Sequence, residues 1–334
     1  MQIRVLTGED VRRALPMRDA IEGMKVAFEQ LSNGRATIPL RSRIDIPAAN
    51  GVSFFMPAYL PAGAADSAGT LVVKTVSVFA DNLQRGLPSI NGVVQLLDAA
   101  TGRIIAILDG ATLTAIRTGA GSGAATDLLA RPDSRTLAIF GSGVQARTQL
   151  EAVCTVRSIA HVRVFSPNAD HARAFANDMA GHGAIPQDTI VAANPQAAVA
   201  GADVVCAATN SSTPVFDGRD LQPGTHVNAI GSYQPHVQEL DVETICRSLL
   251  VVDSREAVLE EAGDVIIPLR QGLIGDDHIH AELGELVAST KPGRTSASQI
   301  TCFKSCGVAV QDAIAAKIAY AEAERSDLGT LVDV

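Results

Sequence analysis

The sequence predicts an α/β protein of two domains, a Rossmann-type doubly wound parallel sheet and an α+β domain. Two patterns indicate this. Between residues 39 and 107, β-branched segments follow one another with short turns, which is typical of an antiparallel sheet. After residue 134, buried-strand patterns alternate with helical patterns, as in a parallel doubly wound sheet. A chain of 334 residues is long enough for both domains to bury a core.

The first third of the chain supplies the elements of the α+β domain. A short N-terminal strand precedes an amphipathic helix over residues 18–33, whose apolar residues recur at three- and four-residue steps and which Gly34 ends. Strands follow at residues 71–79, 92–97 and 103–108, and the turn at 98–102 joins the last two as a hairpin. A helix of small residues over 112–129 leads into the second domain.

The second domain is predicted from a series of buried strands. They lie at residues 136–140, 161–165, 203–208, 226–231 and 249–253. An alanine-rich helix over 307–323 is then expected to return to the N-terminal part. The predicted domains are therefore 1–120 with 303–334 for the α+β domain, and 121–302 for the doubly wound domain.

Composition excludes several classes of partner. The net charge is −9 and no Lys/Arg run exceeds a pair, so neither nucleic acid nor an anionic membrane is expected as a partner. No apolar run approaches the roughly 20 residues of a transmembrane helix. The five cysteines are scattered, and only Cys302 and Cys306 lie close, at a spacing typical of a helix. We interpret them as reduced thiols in a cytoplasmic protein without a metal site.

The loop after the strand at 136–140 is the most informative motif. It reads Gly141-Ser142-Gly143-Val144-Gln145-Ala146 and opens a helix, which is the context that a dinucleotide-binding fingerprint requires. Gly141 permits the tight turn, Gly143 lets the backbone approach a pyrophosphate, and Ala146 allows the helix to pack closely. The helix N-terminus then offers N–H donors and a positive dipole to the phosphates.

The residues after the second strand bear on the choice of cofactor. An NAD-specific domain usually has an Asp or Glu there for the ribose 2′-hydroxyl. Here Ser166, Pro167 and Asn168 follow instead, so nothing repels a 2′-phosphate. Ser166 and Asn168 can donate hydrogen bonds to it, and Arg147 or Arg173 can supply charge. NADPH is the predicted cofactor, with NADH as the alternative.

Three basic residues stand alone among apolar neighbours. Lys74 lies in the middle of an apolar strand, and Arg41 and Arg117 are similarly isolated. Because burying such cations is costly without an anionic partner, we expect them to converge on a substrate carboxylate. Arg43 is a weaker candidate of the same kind.

Several motifs together resemble the ornithine cyclodeaminase/μ-crystallin family across essentially the whole chain. Besides the glycine loop they are Val73-Lys74-Thr75, Gly86-Leu87-Pro88-Ser89, Ala115-Ile116-Arg117-Thr118-Gly119-Ala120, Asn228-Ala229-Ile230-Gly231, Glu282-Leu283-Gly284-Glu285, and Thr301-Cys302-Phe303-Lys304-Ser305-Cys306-Gly307 with Asp312. The resemblance implies that the substrate contacts are Arg41, Lys74, Arg117 and Ser305, with Lys74 catalytic. It also implies that the α+β domain binds the substrate and forms a homodimer. Together with the residues after the second strand, the cofactor contacts expected outside the glycine loop are Ser89, Arg117, Thr118, Ser166, Asn168, Arg173, Thr209 and Gly231.

One departure from the family pattern selects among its reactions. Cyclodeaminases of the family place an Asp shortly after the residue corresponding to Gly231, whereas this chain has no acid there until Glu239. We therefore predict reduction of cyclic imines, Δ1-pyrroline-2-carboxylate and also Δ1-piperideine-2-carboxylate, to L-proline and L-pipecolate. Ornithine cyclodeaminase or alanine dehydrogenase activity is the enzymatic alternative, and a non-catalytic NADPH-binding protein is the alternative of another class. Tyr233 and His236 are left without an assigned role.

Overall fold

A computed structural model describes residues 2–62 and 69–334, and all structural statements below concern these residues. The chain divides into two compact units. The first unit comprises residues 1–117 and 308–334, and the second comprises residues 118–307. Among the described residues, no helix has both the length and the apolar character needed to cross a membrane.

The described residues form fifteen strands and eleven α-helices. The strands are β1 (Gln2–Leu6), β2 (Ser42–Ile46), β3 (Gly51–Leu60), β4 (Thr70–Phe79), β5 (Ile90–Asp98), β6 (Ile104–Asp109), β7 (Thr136–Phe140), β8 (His161–Phe165), β9 (Thr189–Val191), β10 (Val204–Ala207), β11 (His226–Ala229), β12 (Ser248–Val252), β13 (Ile279–Glu282), β14 (Ile300–Lys304) and β15 (Thr330–Asp333). The helices are α1 (Gly8–Ala14), α2 (Met17–Ser32), α3 (Gly110–Leu129), α4 (Val144–Val156), α5 (Ala169–Met179), α6 (Pro195–Val199), α7 (Val242–Arg247), α8 (Arg255–Glu261), α9 (Gly263–Arg270), α10 (Leu283–Val287) and α11 (Ala309–Arg325).

The first unit is built on a seven-stranded sheet in the order β15-β1-β6-β5-β4-β3-β2. All neighbours are antiparallel except β1 and β6. The inward face of β3 is apolar and buried, with Phe54, Met56, Ala58 and Leu60 at alternate positions. Helix α11 covers that face, because it packs on β3, β4 and β5 as well as on α1 and α2. The predicted antiparallel sheet and the return of the last helix are therefore observed.

The second unit is an eight-stranded parallel sheet in the order β13-β12-β14-β11-β10-β7-β8-β9. The strand order reverses between β7 and β10, as in a Rossmann-type fold. The central strands are covered on both faces, so β10 and β11 are buried along their whole length. The polar side chains of His226 and Asn228 in β11 are buried with hydrogen-bond partners. The predicted α/β class is confirmed, and β7 and β8 begin and end at the predicted residues.

Strand β14 is an element that the sequence did not reveal. It pairs with β11 on one side and β12 on the other, so Phe303 and Lys304 belong to the parallel sheet. The unit boundary accordingly lies at 307/308, where the sequence placed a domain boundary at 302/303. Cys302 lies on this strand, and the helical spacing inferred for Cys302 and Cys306 is wrong. The first boundary lies within α3, at 117/118 against a predicted 120/121.

The crossing of α3 and α4 gives a prediction for stability. A Cβ on Gly119 would lie 2.5 Å from the backbone oxygen of Thr148, and neither backbone can yield without moving its helix. We expect Gly119→Ala to lower the free energy of unfolding by about 2 kcal/mol, within the range for overpacking of a core. The measurement is thermal unfolding followed by circular dichroism.

Gly23→Ala in α2 is the matched control. Its Cβ would meet the Cδ1 atom of Ile318, the end of a flexible side chain, so a smaller loss is expected. Equal melting temperatures for the two variants would contradict the role given to Gly119.

Candidate functional site

Lys74 lies on the buried face of β4. The alternation of the strand places it on the same side as Thr70 and Val72, towards α11, and only 1% of the residue is exposed. Its Nζ atom is 2.7 Å from Oδ2 of Asp312, a fully buried carboxylate in the first turn of α11. The lysine that the sequence singled out is therefore a buried ion-pair partner.

Arg117 binds the same carboxylate. Its Nε donates to Oδ1 of Asp312 at 3.1 Å, and its Nη1 donates to Oε1 of Gln311 at 3.0 Å. The same Gln311 oxygen accepts the backbone N–H of Val308 at 3.0 Å, which fixes the glutamine at the start of α11. One face of the first turn of α11 thus holds both cations.

This cation cluster, Lys74, Arg117, Asp312 and Gln311, carries excess positive charge. Two cations face one carboxylate, so one net positive charge is buried if Lys74 is protonated. Burial lowers the pKa of Lys74 to about 8, against the opposing effect of Asp312 and with a further lowering by Arg117. A cluster of this kind is electrostatically suited to an anion such as a carboxylate.

Arg41 and Arg43 differ in their surroundings. Both guanidinium groups lie over the ring of Phe54, at 4.9 and 5.7 Å from its centroid. The charge of Arg41 contributes to lowering the pKa of Lys74, which places Arg41 within electrostatic reach of the cluster. Arg43 instead pairs with Asp45, its Nη2 lying 2.7 Å from Oδ1. Arg41 thus joins Lys74 and Arg117, and Arg43 is neutralised by its neighbour.

Asp312 and Gln311 are the functional candidates to which sequence reasoning gave no role. The amide Nε2 of Gln311 is buried and has no hydrogen-bond partner among the described residues, so a donor remains beside the two cations. The available signal was a carboxylate and an amide in an alanine-rich helix expected to pack against the strand of Lys74. Such polar groups on a buried helix face need partners.

The glycine loop of the second unit has the geometry of a pyrophosphate site. Gly141 has φ +106°, and a Cβ there would lie 2.5 Å from the carbonyl oxygen of Ala208. A Cβ on Gly143 would meet nothing within 4 Å, and no side chain caps α4, so the first N–H groups of the helix face open space. Ala146 is fully buried. The loop's other side chains are exposed or half-buried: Ser142, Val144 and Gln145. The residues present therefore fit a dinucleotide.

The end of β8 lacks a carboxylate, as the sequence indicates. Oγ of Ser142 donates to Oγ of Ser166 at 3.2 Å, which ties the glycine loop to this strand end. Oδ1 of Asn168 caps α5 by accepting two backbone N–H groups. Its amide nitrogen is the group that can donate a hydrogen bond to a 2′-phosphate. Arg173 pairs with Asp170 on the helix surface. Arg147, on α4, has a similar exposed partner in Asp178.

Three further residues expected at the site are placed as follows. Ser89, in the first unit, is half-buried, and its carbonyl accepts the N–H of Phe79. Thr118 and Ser305 belong to the second unit. The hydroxyl of Ser305 is buried and donates to Oδ2 of Asp253 at 2.8 Å, so it is held in one orientation.

Thr209 and Gly231 follow two adjacent strands, β10 and β11. Their backbone N–H groups donate to the two oxygens of one buried carboxylate, that of Glu239. Tyr233 and His236, which the sequence left unassigned, are exposed. Glu239 is thus the first carboxylate after Gly231, and each of its oxygens accepts a backbone N–H group.

Comparison with known proteins agrees with this geometry. The family model for ornithine cyclodeaminase/mu-crystallin matches residues 1–327. A Delta(1)-pyrroline-2-carboxylate reductase from Bacillus cereus is 38% identical over 330 residues, 98% of this chain and 99% of that protein.

Two solved structures are similar over nearly the whole chain. One is the Delta(1)-pyrroline-2-carboxylate reductase of Thermococcus litoralis in complex with NADH and L-proline, with a TM-score of 0.93, 42% identity and coverage of 99% of this chain and 100% of that one. The other is an archaeal alanine dehydrogenase dimer with bound NAD, with a TM-score of 0.90, 32% identity and coverage of 100% and 99%. The resemblance drawn from the sequence motifs is thereby confirmed, and this chain belongs to the ornithine cyclodeaminase/mu-crystallin family.

Proposed function

We propose that this protein reduces cyclic imines that carry a carboxylate, Δ1-pyrroline-2-carboxylate first and Δ1-piperideine-2-carboxylate second, to L-proline and L-pipecolate. The buried cation cluster is the observation that carries the proposal, because it offers net positive charge and an unpaired amide donor to a small anion. The similarity to reductases of the same imine supports this substrate.

Each residue of the cluster has a definite task in this proposal. Arg117 and the amide of Gln311 bind the substrate carboxylate, with Arg41 adding charge, and Asp312 holds Lys74 and Arg117 in place. Lys74, protonated at Nζ, donates a hydrogen bond to the substrate and keeps the imine nitrogen protonated. The bound nicotinamide cofactor supplies the hydride that reduces the imine carbon.

The cofactor is proposed to be NADPH, with NADH as the alternative. No carboxylate stands at the end of β8 to repel a 2′-phosphate, and Arg147 and Arg173 lie on the helices that follow β7 and β8. The ion pairs of these arginines with Asp178 and Asp170 are exposed, so a phosphate can compete for them.

Cyclodeamination is disfavoured by the loop after Gly231. The acid that handles the substrate amine in that reaction is absent here, and each oxygen of Glu239 already accepts a backbone N–H group. The hydroxyl of Ser232 is likewise used, since it donates to the carbonyl of Val237 at 2.7 Å.

The cytoplasmic location inferred from the sequence stays a prediction.

An outward face of the first unit supports a homodimer, which we propose as the assembled form. The side of the sheet opposite α11 exposes Ile44, Phe55, Tyr59 and Val93, an apolar surface of the kind that interfaces cover. A second copy of this chain is the proposed occupant. The dimeric state of the similar archaeal alanine dehydrogenase supports that choice.

The activity itself is tested by spectrophotometry. With Δ1-pyrroline-2-carboxylate, the protein should oxidise NADPH, and NADH at lower kcat/KM. Lys74→Ala should lower kcat by about a hundredfold or more, a typical contribution for a proton donor, while NADPH binding is retained. Lys25→Ala in α2 is the control and should leave kcat unchanged.

The alternatives are measured with the same protein. The first alternative predicts ammonia release from ornithine, and the second predicts NADH oxidation with pyruvate and ammonia. Either activity without any reaction of the two cyclic imines would refute the proposal. Full activity of Lys74→Ala would refute the site.

The pKa of Lys74 predicts the pH dependence. Since the protonated amine is the active form and the pKa of Lys74 without bound substrate is about 8, kcat/KM should be constant below that pH and fall as pH rises through it. Asp312 raises this pKa, so Asp312→Asn should shift the basic limb to lower pH. The measurement is kcat/KM for the imine as a function of pH. A limb that Asp312→Asn leaves in place would show that another group titrates.

The dimer is tested by light scattering. The wild type should have twice the chain mass, and Phe55→Glu with Tyr59→Glu should yield monomers because two carboxylates would be buried in the interface. Val26→Glu, at an exposed apolar position of α2, should leave the dimer intact. A monomeric wild type would contradict the proposal.

A further inference from the structure

Glu239 joins the ends of two neighbouring strands of the parallel sheet. Its side chain is fully buried, Oε1 accepts the N–H of Thr209 at 2.6 Å, and Oε2 accepts the N–H of Gly231 at 2.7 Å. Thr209 lies two residues after β10, and Gly231 lies two residues after β11. Because these strands are adjacent and parallel, one carboxylate sets the separation of both loops.

The glycine at position 231 leaves room for this arrangement. A Cβ there would collide with both carboxylate oxygens of Glu239 and with the carbonyl oxygen of Thr209. No alanine or larger residue fits without displacing the carboxylate. The close contact with Glu239 therefore explains why a glycine ends the motif Asn228-Ala229-Ile230-Gly231.

Glu239 is itself held by a second buried carboxylate. The N–H groups of Glu239 and Leu240 donate to Oδ1 of Asp264 at 2.6 and 2.9 Å. Asp264 pairs with Lys304, whose Nζ is 2.8 Å from Oδ2 and also donates to the carbonyl of Ser232 at 2.7 Å. Glu239, Asp264 and Lys304 are all fully buried, so the network is rigid and costly to break.

The topology says which half of a dinucleotide these loops face. In a doubly wound sheet the pyrophosphate lies at the glycine loop after the first strand, and the adenosine ribose lies at the end of the second. Those strands are β7 and β8 here, and β10 and β11 lie on the other side of the point where the strand order reverses. The nicotinamide nucleoside is then the half that falls over the ends of β10 and β11.

We propose that Glu239 is a positioning residue for the nicotinamide half of the cofactor. It contacts no part of the cofactor itself and acts by fixing Thr209 and Gly231 as a platform. This inference deepens the proposed function and rests on the part of it that concerns dinucleotide binding. It does not depend on which imine is reduced.

The test is to measure by calorimetry how the Glu239→Gln variant binds two ligands, NADH and ADP. ADP keeps the adenosine and the pyrophosphate and lacks the nicotinamide nucleoside. In the variant one backbone N–H loses its acceptor, so the Kd for NADH should rise roughly tenfold, equivalent to about 1.4 kcal/mol. The Kd for ADP should stay unchanged. If the wild type prefers NADPH, the matched pair is NADPH and 2′-phosphorylated ADP.

Controls separate this role from a loss of folding. Glu243→Gln, which removes a half-exposed carboxylate on α7, should leave both Kd values unchanged. Glu239→Asp keeps the charge and should bind NADH with intermediate affinity; it carries the same comparison if the Gln variant does not fold.

Three outcomes would overturn the inference: equal weakening of both ligands, no weakening of NADH, or weakening of ADP alone. A wild type that binds NADH normally and does not reduce imines would sink the proposed reaction and leave this inference standing.

Discussion

The carboxylate of Asp312 is the group on which the first unit depends. It is fully buried and bonds to two cations, one from β4 and one from α3. Burial of an unpaired charge costs several kcal/mol, so neither Lys74 nor Arg117 could occupy its position without this partner. The C-terminal helix therefore completes the cation cluster, whose two cations come from β4 and α3.

The second unit uses a carboxylate in a comparable way, for a different purpose. Both oxygens of Glu239 accept backbone N–H groups, which fixes the loops that carry Thr209 and Gly231. The first unit thus presents charge on side chains, in the cation cluster. The second unit presents open backbone N–H groups at the start of α4, whereas those of Thr209 and Gly231 are bound to Glu239.

The chemistry follows from what each carboxylate leaves available. In the cluster around Lys74, one carboxylate is too little to neutralise the cations, and an anion is attracted. Glu239, the first acid after Gly231, binds backbone N–H groups through both oxygens. It is therefore not placed to accept a proton from a substrate amine. An imine carboxylate needs the first property and does not need a free acid, which is why reduction fits better than cyclodeamination.

Much of this protein could be predicted from local sequence. Strands β7 and β8 and the glycine loop were predicted residue by residue, because buried strands and tight turns impose their patterns on adjacent residues. Strand β14 was missed because it ends in Lys304, a cation whose burial depends on its ion pair with Asp264 from another part of the chain. Lys74, Arg41 and Arg117 were found as isolated cations, since an unpaired charge in an apolar segment is visible locally.

What only the tertiary structure decided is how these charges are paired. The sequence determined the α/β class, the nucleotide loop and the presence of cations that need an anion. It could not assign Asp312 and Gln311 to Lys74 and Arg117, which are separated from them by about two hundred residues along the chain. It also could not show that Glu239 is bound to Thr209 and Gly231, because hydrogen bonds form between groups that the fold, and not the order of residues, brings together.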